Sequence, residues 1–291
     1  MIREFALEPE VVAQSYRDCR YFLEKFGVEY GRLISRFPKN WKRLAYEAAQ
    51  KKHSGLVELS RIEASLSGMR ADALLESRRP GGDVNQTWIT RALIEHERLP
   101  FAGIIALDAP TSSRDVLLAG DLDENVERFH ATGQRHIKRT SDDLVACIRP
   151  LLRCARTVKL IDPYFKPSEG RYDRPLNKLL RELNPGTIVE VHRADDGLPG
   201  NLQHWFRGIP QMLPKGIGLR VFLHDEKVMH NRFILTDLGG ASFGTGLDDN
   251  EDNRTGSTNE DLVTLLSAAV RTAEWTRYAS LNAFAEFKAT A

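Results

Sequence analysis

The sequence predicts an α/β protein: a mixed sheet flanked by helices in residues 140–291, preceded by a mainly helical module with a short β element in residues 1–139. Three observations lead there. From Ser141 onward, apolar strand-like runs alternate with amphipathic segments, as expected where helices pack on a sheet. From Glu8 to Arg98, apolar residues recur mostly at helical spacing. Finally, 291 residues, 42% of them apolar and 28% charged, are enough for about two domains with full cores. No internal repeat or low-complexity tract marks a boundary, so the division rests on the change of periodicity.

In the first module, Val11, Val12, Tyr16, Cys19, Phe22, Leu23 and Phe26 fall on one helical face, and Gly27 is the stop. Trp41 to Gln50, Leu56 to Leu75 and Trp88 to Arg98 repeat the pattern, while Phe101 to Leu107 and Val116 to Ala119 read as short strands. In the second, Ser141 can cap a helix presenting Leu144, Ile148, Leu151 and Ala155, which Pro150 should kink or restart. The strands VKLID (158–162), TIVEVHR (187–193) and IGLRVFL (217–223) follow, separated by the amphipathic Leu176–Leu183 and a segment with Trp205 and Phe206. The segment 228–236 then reads as a further strand.

Lys and Arg total 41 against 40 Asp and Glu, a net charge of +1, which excludes a histone-like or strongly acidic protein and confines any anionic partner to a local patch. One such patch is Arg36, Lys39, Lys42 and Arg43, interleaved with Phe37, Trp41 and Tyr46; cations beside exposed aromatics suit phosphate contacts with base stacking. The same pattern also describes a solvated helix face with aromatic anchors in the core. Cys19, Cys147 and Cys154 form no CxxC pair and are odd in number, so neither a zinc knuckle nor a disulfide framework is readable. The charged N-terminus lacks a leader-like apolar run, and Phe101 to Leu107 is too short to span a membrane, so a cytoplasmic protein without a membrane span is expected.

The sharpest chemical feature is His230-Asn231-Arg232 followed by FILTD and a glycine-rich stretch, GGASFGTG. On a strand, period two sets His230 and Arg232 side by side, an imidazole able to attack phosphorus beside a cation able to steady the non-bridging oxygens. Asp237 at the end of the same strand could orient the histidine. HNRFILTD resembles the H-x-K-x4-D motif of the phospholipase D superfamily, with arginine in place of lysine, and the order of elements over 142–291, including Ile161-Asp162-Pro163-Tyr164, is similar to that of one such domain. The resemblance implies that His230 is the nucleophile, that Arg232 and the hydroxyl of Thr245 bind phosphate, and that Asp237 is the orienting acid. It further implies chemistry without a metal or other cofactor, and an active homodimer bringing two copies of His230 together. The asparagine that often follows the small hydroxyl in that family is replaced by Gly246 and Leu247.

His136-Ile137-Lys138 with Asp143 matches H-x-K-x4-D literally, but its polar flanks predict no strand leading into it. Asp248, Asp249, Glu251 and Asp252 read as an exposed acidic loop, with a metal site as the alternative; His224 and His230 could share a metal only if a third ligand joined them. The expected function is a metal-independent nuclease of a prokaryotic defence or mobile-element system, the first module docking nucleic acid. The alternative is a silent module of the same kind that binds nucleic acid, an anionic lipid or a protein partner in a larger assembly.

Overall fold

The computed structural model describes residues 1–76, 79–109, 113–123, 125–195, 197, 199–279 and 283–288. It divides into two units, Ile2–Thr132 and Gly133–Ala291 together with Met1. The division therefore falls before 139. The reason is a strand the sequence hides: β6 (Gln134–Lys138) belongs to the second unit's sheet, and its largely exposed side chains carry no apolar alternation.

The first unit is built on a five-stranded parallel sheet. Its elements are β1 (Arg3–Leu7), α1 (Pro9–Val12), α2 (Tyr16–Lys25), β2 (Arg32–Ser35), α3 (Trp41–Lys52), α4 (Leu56–Ser67), β3 (Leu74–Leu75), α5 (Trp88–Arg98), β4 (Gly103–Ala106) and β5 (Val116–Leu118), with strand order β3-β2-β1-β4-β5. The expected short β element corresponds to β4 and β5. The mainly helical reading missed β1, β2 and β3 because these strands are short, and a buried parallel strand such as β2 reads as a brief apolar run rather than as alternation. Phe5, Phe26 and Phe129 meet edge-to-face with centroids 5.8 Å apart, over which α2, α3 and α4 close the core.

The second unit contains β6, α6 (Ser141–Ala146), α7 (Arg149–Leu152), β7 (Thr157–Ile161), α8 (Gly170–Glu182), β8 (Ile188–Ala194), α9 (Pro199–Phe206), α10 (Ile209–Met212), β9 (Gly218–His224), β10 (Phe233–Thr236), β11 (Gly240–Phe243), β12 (Glu260–Leu265), α11 (Ala268–Arg277) and β13 (Ala285–Lys288). Its eight-stranded mixed sheet runs β13-β9-β8-β7-β10-β11-β12-β6. β7, β8 and β9 are parallel, and β10 lies antiparallel against β7 with Phe233 opposite Ile161. The cap of α6 is Thr140 rather than Ser141, which is the first helical residue and buried; the restart at Pro150 is α7. The segment 228–236 is a strand only from Phe233, because residues 226–228 form a 3-10 turn capped by Asp225. Among the described residues no helix is long and apolar enough to cross a membrane.

Candidate phosphodiester site

The carboxyl ends of the parallel strands β7, β8 and β9 and the start of β10 share one edge of the second sheet, the edge at which open α/β sheets place ligands. His230 and Arg232 lie on this edge, in the irregular run leading into β10. Met229 is buried beside Ile161, Ala194 and Phe233, which pins the run, while His230 is exposed. The Arg232 side chain folds back on the run itself: Arg232 Nη1 donates to the His230 backbone carbonyl at 3.2 Å. Arg232 is half-buried, its Cζ 5.8 Å from the Tyr164 ring centroid, and its Nε is buried without a hydrogen-bond partner.

Asp162, which the sequence marked only as a strand end, is buried at the end of β7 and feels the charge of Arg232. Its carboxylate accepts the N–H groups of Tyr164 and Leu247, each at 2.9 Å. Burial pushes its pKa above the usual carboxylate range, against the lowering effect of those N–H groups and of Arg232. Gly246 closes the floor. A Cβ there would meet Asp248 Oδ1 at 2.8 Å and Asp162 Oδ2 at 3.3 Å, so the glycine is required by close approach, at φ +159°.

Thr245 is exposed on the same loop, but its N–H and its hydroxyl both donate to Asp261 Oδ1, at 2.9 and 3.1 Å, so the hydroxyl is held by protein. Asp237 is not part of the site. Thr236 pairs with Val158, which puts Asp237 at the opposite edge, where its Oδ1 accepts the N–H groups of Arg156 and Thr157. A four-residue strand separates it from His230, so it ties two strands together and cannot orient the imidazole.

The acidic run is not an exposed loop. Asp248, Asp249 and Asn250 are buried; Asp248 pairs with Arg139 at 2.5 Å and Arg254 at 2.8 Å, and Asp249 takes two bonds from Arg174, at 2.5 and 2.8 Å, and one from Ser141. Spacing alone cannot reveal this, since the neutralising arginines come from distant segments. Only Glu251 and Asp252 remain exposed. Among the described residues no group of three or more His, Cys, Asp or Glu side chains is arranged to hold a metal ion.

The sequence reading also missed a buried to half-buried polar row on the sheet itself. Lys159 on β7, Glu190 and His192 on β8 and His224 at the end of β9 share one face. Lys159 Nζ lies 3.1 Å from Glu190 Oε2, His192 Nε2 lies 3.4 Å from the same oxygen, and His192 Nδ1 lies 2.9 Å from His224 Nε2. Phe222 stacks on His192 and the Tyr278 ring edges both imidazoles. Burial lowers the pKa of His192, opposed by Glu190, and lowers that of His224 to about 4, helped by His192 and Lys159. Burial raises Glu190, but its bond from His192 and the Lys159 charge outweigh it, and its carboxyl stays below the ordinary value. The alternation in TIVEVHR, which puts Glu190 and His192 on one face, was the available signal.

His136 and Lys138 are exposed on the edge strand β6, contrary to the expected lack of a strand, and Asp143 faces the same cleft. Asp143 is also engaged in the α6 cap, its Oδ2 accepting the Thr140 hydroxyl. In the first unit, Trp41 is fully buried and its Nε1 donates to the Leu7 carbonyl at 2.5 Å, so it fills core and offers no face to a base. Phe37 is buried too. Arg36 is ion-paired with Glu76 and bonded to the Lys39 carbonyl, and Arg43 pairs with Glu47 at 3.4 Å; Lys39 is exposed and Lys42 half-buried.

No protein-family model matches the chain, and no curated protein matches it in sequence. Among solved structures it is similar to Nuc, a phospholipase D family member from Salmonella typhimurium, at 11% identity and a TM-score of 0.33, covering 50% of this chain and 90% of that one. It is also similar to TrmBL2, an archaeal chromatin protein whose structure is described as showing a mode of DNA binding, at 10% identity and a TM-score of 0.30. This second alignment covers 54% of each chain.

Proposed function

We propose that the second unit is a phospholipase D-like phosphodiesterase acting on nucleic acid without a metal, with His230 as nucleophile. The observation carrying this reading is the His230–Arg232 pair: an exposed imidazole two residues from a guanidinium that bonds the His230 backbone carbonyl and whose Nε has no protein partner, at the edge of a mixed sheet where ligands are placed in open α/β sheets. Arg232 takes the non-bridging oxygens of a phosphodiester, His230 attacks phosphorus in line, and the phosphohistidine formed is hydrolysed by water. Protonation of the leaving oxygen requires a second imidazole; a homodimer with its two His230 side chains facing one cleft supplies it. Lys39 and Lys42 of the first unit, neither of them ion-paired among the described residues, contribute phosphate contacts.

Wild type and His230→Ala are compared on single- and double-stranded DNA and RNA in the presence of EDTA. Cleavage that resists EDTA and disappears in the variant is the expected result; cleavage equal in both proteins overturns the assignment. A second reading, a silent module that binds nucleic acid without cutting it, is favoured by the place of Asp237 on the far edge and by the engagement of the Thr245 hydroxyl with Asp261. Retained binding with no cleavage by wild type selects it.

A further inference from the structure

The chain leaving β7 turns at the same edge of the sheet as His230 and Arg232, and along it burial alternates. Pro163, Phe165 and Pro167 are buried, Tyr164 is exposed and Lys166 is half-buried. The turn is anchored: Asp162 Oδ1 accepts the Tyr164 N–H at 2.9 Å, the Asp162 carbonyl accepts the Phe165 N–H at 3.3 Å, and Phe165 meets the Tyr172 ring edge-to-face. Tyr164 is left 51% exposed on this fixed backbone. A single exposed aromatic needs no explanation by itself; what singles this one out is its neighbour. Arg232 Cζ lies 5.8 Å from the Tyr164 ring centroid, within cation–π reach, and Arg232 Nε has no hydrogen-bond partner. Two positions on, the Lys166 ammonium lies 4.8 Å from the Trp205 ring centroid and 3.8 Å from Glu169 Oε1, the other oxygen of that carboxylate being bonded to Arg171. The edge therefore presents a guanidinium, a phenol ring, an ammonium and an indole from one short turn and the side chains touching it.

We propose that Tyr164 is the base-stacking residue of the phosphodiester site and that single-stranded nucleic acid is its substrate class, an inference that rests on the phosphodiesterase reading above. Cations interleaved with aromatic rings suit a single strand, whose phosphates meet the charges while its bases lie on the rings. The phosphate taken by Arg232 brings its adjoining base onto the Tyr164 ring, and Lys166 meets the next phosphate along the strand. In a duplex each base is covered by its neighbours in the stack and held by its pair, so it has no face to give the ring; an unpaired base can be splayed onto it. Every base has a π-face, so the ring selects an unpaired strand without selecting its sequence. Tyr164 exchanges no proton and forms no bond. It positions the nucleotide whose phosphorus His230 attacks.

Binding is measured on the full chain carrying His230→Ala, so that no oligonucleotide is consumed. Fluorescence anisotropy at one fixed salt concentration follows a labelled single strand, its duplex and an abasic strand that keeps the phosphates but offers no base, each as DNA and as RNA. Adding Tyr164→Ala is expected to weaken the single strand about tenfold, within the range that base–aromatic stacking contributes, and Tyr164→Phe to restore it. Duplex and abasic strand should bind equally with and without the tyrosine. With His230 intact, Tyr164→Ala should raise KM on a single strand and leave kcat little changed, the mark of lost uniform binding. Adding Lys166→Gln should reduce the log–log salt slope by about 0.7, the value for one phosphate on a single strand. Single-strand affinity unchanged by Tyr164→Ala, a loss that phenylalanine does not restore, or an equal loss on the abasic strand overturns the stacking assignment; an unchanged salt slope overturns the place given to Lys166. The two levels of inference separate because stacking is read without cleavage: a wild type that cuts nothing refutes the phosphodiesterase, whereas the anisotropy series decides the role of Tyr164 in either case.

Discussion

At the scale of single residues, the candidate site turns on which polar atoms are already engaged. Arg232 and His230 keep groups free for a ligand, Thr245 and Asp237 do not, and Trp41 is committed to the core. Trp41 yields a direct prediction. Replacing it with leucine leaves the Leu7 carbonyl buried without its donor and opens a cavity, so unfolding in urea should show a loss of about 3 kcal/mol. Oligonucleotide affinity of the folded variant should stay within about twofold of wild type. A stacking tryptophan would instead lose about 1–3 kcal/mol of binding. The residues of the motif were legible because His230 and Arg232 sit two apart in sequence and their role depends on that local proximity. The role given to Asp237 failed for the same reason: sequence spacing measures distance along a strand but not which edge of the sheet each end reaches.

At the scale of elements, β7, β8 and β9 carry a row of polar side chains, Lys159 and His192 buried and Glu190 and His224 half-buried, that a core strand rarely tolerates without partners. Here each has one, across neighbouring strands. The row makes the sheet sensitive to acid. His192 and His224 have folded pKa values below their unfolded value of 6.5, so the unfolded state binds protons first and stability rises with pH. Their stabilisation is complete above about pH 6.5 and declines as pH falls toward 4, where His224 in the folded protein also takes a proton. Glu190 and Asp249, whose carboxyls lie below the ordinary value, add a further loss in the carboxylate range. The thermal midpoint is therefore expected to fall steadily from pH 7 to pH 4, and to fall less in His224→Gln; identical slopes for both proteins would refute the account. Strands β7, β8 and β9 were readable as apolar runs. Strand β6 was not, because an edge strand with exposed side chains has no buried face to impress a period on the sequence.

At the scale of the whole molecule, a net charge of +1 conceals separate groups of charge that largely neutralise one another locally. Arg139, Arg171, Arg174 and Arg254 are spent on Asp248 and Asp249, and Arg36 and Arg43 on Glu76 and Glu47, so these six are held by carboxylates rather than left for phosphate. Oligonucleotide binding between roughly 50 and 200 mM salt should then follow a log–log slope of about −2 to −3, corresponding to two or three neutralised phosphates. A slope near −6 would show that a far larger basic surface is engaged. By itself the sequence determined that this is an α/β chain of two units with an imidazole–guanidinium pair before a buried strand, because composition, periodicity and short-range spacing are local properties. Only the tertiary structure decided that the first unit rests on a parallel sheet, that the acidic run is neutralised from within, and that Glu190, His192 and His224 line up. Each of those depends on which distant segments lie one strand spacing apart, and strand pairing leaves no mark on the residues of either strand alone.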